Sequence, residues 1–598
     1  MNCSNKFKLT AIAMMVGTAM NANAALYQVV EVSPENVTTE TVYGVAIQQG
    51  DVDNDPDTGK PFALGCFDKG ADCDSKHFKL ALETRVTPIS TGQEVDGVSY
   101  REEVPFAMDS GFFYVQEFDD FERYCTNERR YSTCESWAYV HWNPWQKEAF
   151  NKDFTSNALA YVEAGVENPK TIDSLAYTNE YNNVINSLTK DGDPVGNQSV
   201  VDKTATPPVL KTRNTIVAPG VEPQFETDST VPKLLESRAW KTNGTFTVGS
   251  VSRFANNDNG DHSTSKAAIW DATGSGSVKE ISWGTTNAEE DERLAQGSMR
   301  DFVVKGSTVY GVGYNTYDSG NNYMNATVFV GTLTKEASVA DSTWVNKVVD
   351  GAQQRIGDNT VHTNSRLTDV NSNFIAIGEA KRSGVYLMPT GSAPNRLFVV
   401  DDVTADSVSA SYLAEVGGIF FSGAGGQMGG INSYNEIVGQ LDAEKTREEE
   451  GKPRRKRGFI YPYAQGGTVS ERAKEIFDGK AWFLDDLTNG ANDQSASARD
   501  ISDSNNEFRI ISASDINDAG VISATAMKCA GGYDTTAHNS FCSNGEEKIV
   551  AVKLKPIPGA TKADIQSRSV EEEAAERQGA GLGWLALTML GLFGFRRK

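Results

Sequence analysis

The chain has 598 residues, 39% of them hydrophobic, with 9 Trp, 20 Tyr and 27 Phe, enough apolar mass for several domains or one large closed β array. Its formal net charge of −24 repels nucleic-acid phosphates and excludes nucleic acid as a partner. The same charge suits a soluble exported protein, or one that collects divalent cations.

The first segment reads as a secretory leader. Lys6 and Lys8 precede an apolar run from Leu9 to Met20. Ala22-Asn23-Ala24 then offers the small-x-small pattern that signal peptidase cuts, which puts the mature start at Ala25, the bond between Ala24 and Ala25 being the processing site. The stretch 25–48, with "TVYGVAI" at 41–47, alternates apolar and polar residues as a strand does and forms the first β repeat.

Residues 49–240 read as an insertion. It opens on "GDVDNDPDTGK", where Asp51, Asp53, Asp55 and Asp57 alternate. Closely spaced carboxylates supply the oxygens that Ca²⁺ wants. The loop departs from an EF-hand, with Pro56 where glycine belongs and Phe62 at its twelfth position, and a solvated acidic turn is the plain alternative. "NNDNGD" at 256–261 is a second, weaker candidate of the same kind.

After removal of the leader six cysteines remain, in three close pairs: Cys66 with Cys73, Cys125 with Cys134, and Cys529 with Cys542. Export to an oxidising compartment favours disulfides, and short loops close most easily, so the local pairing is expected. A metal site is disfavoured because no CxxC occurs and the five histidines are scattered. Beside the second pair lies "WAYVHWNPW". Trp137, Trp142 and Trp145 could stack on a sugar ring, or could fill the core of a small, partly helical, disulfide-stapled subdomain. The stretch 189–223, rich in Pro, Gly, Thr and Asp, reads as a linker.

From 241 to 556 one pattern recurs: a polar turn with Asn or Asp, a short apolar strand ending near Gly, a polar gap, then a second apolar strand. The clearest copies are "INSYNEIVGQL" at 431–441 followed by "GFIYPY" at 458–463, and "INDAGVISATA" at 516–526 followed by "KIVAVKL" at 548–554. Weaker copies begin near 246, 308 and 370, and the glycines at 249, 313, 378 and 439 lie 64, 65 and 61 residues apart. Period-2 alternation with Asn, Asp and Gly turns marks hairpins. One such unit cannot bury its own apolar face, so the units must stack. The expected fold is mainly β: a β-propeller-like array of antiparallel hairpin repeats carrying the partly helical insertion. Within this region, the glycine run 417–430 reads as tight turns between units. The basic run Arg454 to Arg457, beside three glutamates, reads as a solvated hairpin loop open to proteolysis.

A charged spacer at 557–578 leads to "GAGLGWLALTMLGLFGFRRK". The 14 uncharged residues from Leu582 to Phe595 would span about 21 Å as a helix, short of the roughly 30 Å hydrocarbon core. Arg596, Arg597 and Lys598 follow, which would hold that end on the cytoplasmic side and leave the folded body outside.

These residues carry two resemblances. Glycine motif, short apolar stretch and terminal basic cluster together resemble the GlyGly-CTERM sorting signal of Gram-negative bacteria, with Gly579-Ala580-Gly581 in place of the usual Gly-Gly pair. That resemblance implies processing near Gly579 and Gly581 by a rhombosortase-like protease, passage through type II secretion, transient membrane anchoring by the tail, and a final place at the cell surface or in the medium. The repeats resemble the HAF extracellular repeat, and the whole layout looks like a functionally uncharacterised family of exported proteins of Gram-negative marine bacteria. Neither resemblance brings an activity.

No GxSxG elbow and no HExxH occurs. The leading expectation is a non-enzymatic surface or secreted protein that binds a ligand or partner through loops of a propeller-like body. The rivals are a secreted hydrolase using carboxylates at a propeller mouth, and an envelope structural protein held by Ca²⁺.

Overall fold

The structure is a computed structural model, and it describes residues 25–570 apart from 35–40, 51–63, 89–93, 97–116, 143–150, 152–156, 164–182, 221–233, 334–338, 446–453, 491–495 and some shorter gaps. It is mainly β, and nearly every strand pairing is antiparallel. Among the described residues seven small sheets follow one another along the chain, with a two-residue ribbon, Glu289–Glu290 paired with Arg293–Leu294, between the third and the fourth. Sheet 1 holds Val42–Ile47, Leu80–Pro88, Glu94–Asp96 and Asn157–Val162. Sheet 2 holds Val184–Leu188, Pro194–Asp202 and Val209–Val217. A single parallel pair, Arg213 with Glu236, links it to sheet 3, which holds Leu234–Thr242, Phe246–Asn257, Gly260–Asp271 and Val278–Glu280. Sheet 4 holds Gly297–Lys305, Thr308–Thr316, Met324–Thr332 and Thr343–Val348. Sheet 5 is built on Asn359–Val370, Ala376–Arg382 and Arg396–Val400, with the short strands Gln354–Ile356 and Ser411–Tyr412 at its edges. Sheet 6 holds Gly426–Ile431, Glu436–Asp442, Lys456–Pro462 and Trp482–Phe483. Sheet 7 holds Phe508–Ile516, Ile522–Cys529 and Glu547–Pro556, and its outermost strand is Tyr27–Val32 from the other end of the chain. Tyr27 lies opposite Pro556 and Val32 opposite Ala551.

The sheets close into a ring, because each buries an apolar face against the next. Val45 and Ala46 meet Ile185 and Leu188 between sheets 1 and 2. Val195 meets Val251 and Trp270 between 2 and 3. Val248 and Ile269 meet Met299 and Phe329 between 3 and 4. Val312 and Val328 meet Leu367 and Phe398 between 4 and 5. Ile377 and Leu397 meet Ile437 and Phe459 between 5 and 6. Val438 and Ile460 meet Ile510 and Val552 between 6 and 7, and Val521 and Ala551 meet Val42 and Leu80 between 7 and 1. No sheet has a core of its own, and stacking is the only way each strand set leaves water. This is the propeller-like array that the repeats imply.

The repeat motif has a mechanical role. The innermost strand is the first of sheets 1 to 4 and 6, Asn359–Val370 in sheet 5 and Phe508–Ile516 in sheet 7, and its register with the following strand slips at one corresponding place: at Val45, Asn186, Trp240, Arg300, Thr368, Gly429–Gly430 and Ser514. This β-bulge turns the inner strand sharply. The recurrent glycine sits on the second strand opposite the residue before the bulge. A Cβ at Gly249 would stand 1.8 Å from the Arg238 carbonyl oxygen, and one at Gly439 would stand 2.4 Å from that of Gln427. The recurrent asparagine follows the bulge. Asn432 accepts from the N–H groups of Tyr434 and Glu436, closing its own turn. Its carboxamide then donates across the sheet boundary. Asn371 Nδ2 reaches the Asn432 carbonyl at 2.9 Å, Asn432 reaches that of Asn517 at 3.1 Å, and Asn517 reaches that of Gln48 at 3.0 Å. Gln48 in turn donates to the Lys190 carbonyl at 2.7 Å, so the stitch runs from sheet 5 round to sheet 2.

Four readings of the sequence change. Residues 49–240 are not an insertion beside the array, because they supply most of sheets 1 and 2 and the start of sheet 3. Sheet 2 keeps the glycine, Gly196 opposite Ile185 before its bulge, but neither sheet carries the asparagine after the bulge, and the helix Phe118–Tyr124 with the π-turn Cys125–Arg129 interrupts sheet 1. The expected linker at 189–223 holds two strands of sheet 2, with Thr206–Pro207 cis at the turn between them. The basic run is not a solvated loop. Arg454 pairs with Asp442 at 3.2 Å and Arg457 with Asp485 at 2.9 Å, all four side chains buried. Burial alone would raise the Asp485 carboxyl, but Arg457, Arg568 and Arg509 outweigh it and hold it below the usual carboxylate range. The glycine run is part turn and part framework: Gly417 and Gly418 take positive φ, while 426–431 is the inner strand of sheet 6.

Removing one stitch tests this account. Asn432→Ala strips a buried carboxamide from its own turn and from the next sheet, and is expected to cost about 2–4 kcal/mol, read as a lower urea midpoint. Asn373→Ala, which removes exposed contacts to the Ser433 carbonyl and Asn435, is expected to cost under about 1 kcal/mol.

Candidate functional site

A propeller's usual place for chemistry is the axis, where the inner strands converge. Three aspartates sit there at one corresponding position, directly after the bulge: Asp301 of sheet 4, Asp369 of sheet 5 and Asp515 of sheet 7. Lys241 occupies that position in sheet 3, and Gly430 lies there in sheet 6. The Lys241 ammonium lies 3.8 Å from Asp301 Oδ2 and 3.9 Å from Asp369 Oδ1. It stands where a cation bound by these acids would stand.

The electrostatics are those of a crowded acid cluster. Burial, with Asp369 beside it, pushes the Asp301 carboxyl well above the usual range, and Lys241 offsets only part of this. Burial, again with Asp369 adding to it, pushes Asp515 up to about 6. Burial would lower the Lys241 ammonium, but the three aspartates overcome it and raise it. Perturbed carboxyls of this sort mark catalytic acids, and they also mark structural networks.

Geometry decides between the two. Each aspartate is bound by backbone on both sides of a sheet boundary. Asp301 accepts from Phe302 N–H at 2.7 Å and from Val370 N–H of sheet 5 at 3.2 Å. Asp369 accepts from Val370 N–H at 3.0 Å and from Ile431 N–H of sheet 6 at 2.9 Å. Asp515 accepts from Ile516 N–H at 2.9 Å and from Ile47 N–H of sheet 1 at 3.0 Å, and Gln49 Nε2 adds a bond. Every carboxylate oxygen already accepts a backbone bond, and the three side chains are buried. A substrate hydroxyl or a catalytic water would have to displace a framework bond to reach them.

The residues singled out in the sequence fall elsewhere. The three disulfides join Cys66 to Cys73, Cys125 to Cys134 and Cys529 to Cys542, with Cα separations of 5.8, 5.4 and 5.6 Å. Trp142 is partly buried and meets Phe118 edge-on at 5.6 Å. Trp137, Trp145, Asp51, Asp53, Asp55, Asp57, Ala24, Gly579 and Gly581 lie outside the described residues. Ala25 is fully buried, just before the closing strand. Among the described residues, no group of three or more His, Cys, Asp or Glu side chains is placed to hold a metal ion, and no helix is long and apolar enough to cross a membrane. The sequence reading missed the axial set, although Asp369-Val370-Asn371 and Asp515-Ile516-Asn517 spell one D-Φ-N signal immediately before the turns it had found.

A protein-family model described as "Protein of unknown function (DUF3466)" matches residues 223–598. No curated protein matches the chain. Among solved structures, the chain is similar to a Cellvibrio cellulosa alpha-L-arabinanase at 9% identity, over 40% of this chain and 78% of that one, with a TM-score of 0.22. It is also similar to a glycosyl hydrolase from Bacteroides ovatus at 10% identity, over 55% of this chain and 87% of that one, with a TM-score of 0.23. At these values the likeness carries no inference about activity.

The axial cluster yields a pH-dependent expectation. The raised carboxyls disfavour folding as they ionise, Asp515 between its unfolded value near 4 and about 6. Lys241→Met pushes the folded values higher still, so its penalty appears only where the parent's carboxyls are ionised. The variant is expected to lose about 1–3 kcal/mol at pH 8 and distinctly less at pH 5, measured by urea unfolding at both.

Proposed function

The chain belongs to the DUF3466 family, and from that premise we propose an exported, surface-associated or secreted binding protein rather than an enzyme. One observation carries the second half: among the described residues, the three acids gathered on the axis are spent on framework bonds, with Lys241 beside two of them. A propeller hydrolase needs a carboxylate free to take or give a proton at an accessible centre. The rival of a Ca²⁺-held envelope protein draws no support from the axis either, since Lys241 supplies the positive charge there.

The export half rests on the leader, the sorting-type tail and the three disulfides, which belong to an oxidising compartment. On this reading signal peptidase, type II secretion and a rhombosortase-like protease handle the chain, and the tail anchors it to the inner membrane only in passing.

Peptide mapping by mass spectrometry of protein from medium, membranes and cytosol is expected to find a chain starting at Ala25, ending near Gly579 or Gly581, with all three disulfides closed. A cytosolic chain with both ends intact and free thiols would overturn export. Incubation of the purified chain with polysaccharides and peptides is expected to release no product. Product release that is lost in Asp369→Asn would restore the hydrolase.

A further inference from the structure

The apolar layer between sheets 5 and 6 does not stay packed out to the surface. Beyond Leu397, Leu413 and Phe420 it opens into a cavity of about 680 Å³, within the size range of small-molecule sites. In a chain with 80 acidic residues, the lining of this cavity holds Arg355, Arg382 and Arg396 and, among the described residues, no carboxylate. Arg396 is fixed in place: its guanidinium lies 3.4 Å over the Tyr412 ring and donates to Gln354 Oε1 at 2.5 Å. Arg382 donates to the Tyr386 carbonyl. Neither Arg355 nor Arg382 forms an ion pair among the described residues.

His362 lines the same cavity, cross-strand from Arg382, and is 1% exposed. Neither of its ring nitrogens has a hydrogen-bond partner. Burial, and then Arg396 and Arg382, push its pKa down to about 3, so the ring is neutral at ordinary pH and offers one N–H. A buried donor without an acceptor is costly and uncommon in a finished site. The mouth is apolar: Ile356 is 70% exposed and Leu387, next to the lining residue Met388, is 42% exposed.

We infer that this cavity binds an amphipathic organic anion, its carboxylate held by Arg382, Arg396 and the His362 N–H, its aliphatic body lying along Leu397, Leu413 and Phe420 towards Ile356. Two guanidiniums and the one N–H of a neutral imidazole favour a carboxylate, and the two positive charges repel an ammonium. The apolar walls and rim exclude a fully hydrated anion as the best fit. The inference rests on reading the chain as a binding protein, and it adds the ligand's class.

Calorimetry on the purified protein with decanoate, decanol and acetate separates the contributions of head and body. Decanoate is expected to bind at least about tenfold more tightly than either of the others. Arg382→Gln is expected to weaken decanoate about tenfold and leave decanol unchanged. Ile356→Asp, at an exposed position where folding is not at stake, is expected to weaken decanoate several-fold through repulsion and lost apolar contact. Equal affinity for decanoate and decanol would overturn the anionic head. No decanoate binding at about 1 mM, or no effect of Ile356→Asp, would overturn the site. Either failure leaves the hydrolysis assay untouched, and product release in that assay would overturn the binding reading independently of this cavity.

Discussion

The fold depends on a hydrogen bond that leaves its own sheet. Apolar packing between neighbouring sheets supplies most of the driving force, but it is non-directional and would tolerate a range of tilts. The asparagine carboxamides of 371, 432 and 517 and the carboxylates of 301, 369 and 515 remove that freedom. Each satisfies backbone groups of its own turn or strand and, with its remaining valence, a backbone group of the next sheet. A buried polar atom that fails to find that partner would carry a desolvation penalty, so the correct angle between sheets is selected by the cost of every other angle.

The axial acids follow from the same geometry. A bulge at one place in each inner strand turns the following residue towards the axis, and the ring brings those residues together. Three negative charges meeting there would repel, and Lys241 relieves them from the sheet before Asp301. The raised carboxyls at the axis thus follow from where equivalent positions of neighbouring sheets meet. The pocket between sheets 5 and 6 is the opposite case. Arg382 and Arg396 are held by local contacts, to the Tyr386 carbonyl and to Tyr412 and Gln354, and with His362 they line a cavity that the packing of the two sheets leaves open.

The sequence made the second and third strands of sheets 3 to 7 legible, because their close approach to neighbouring backbone demands glycine at 249, 313, 378 and 439 and their turns demand asparagine. The three disulfides were legible from spacing. The first strand of most sheets was not: a bulge breaks the period-2 alternation in its middle, and bulge positions such as Trp240, Arg300 and Thr368 share no chemistry. Sheet 1 was hidden for a related reason, since Gln48 does the work of asparagine there and a helical excursion parts its strands, and sheet 2 because no asparagine follows its bulge. Arg454 and Arg457 misled because charge density looks solvated in a linear string, while their partners Asp442 and Asp485 are brought in by folding. The cavity had no linear signature at all, its cations coming from three different strands.

Tyr27–Val32 completes a sheet whose other three strands end at Pro556. The first described strand therefore waits, with one edge and one apolar face exposed, until nearly the whole polypeptide has arrived. Circular architecture turns chain order into a requirement for completeness: no nascent length short of about residue 556 owns a finished boundary. A fragment cut at the family match, 223–598, would keep sheets 3 to 7 but present two raw flanks and a last sheet lacking its outer member.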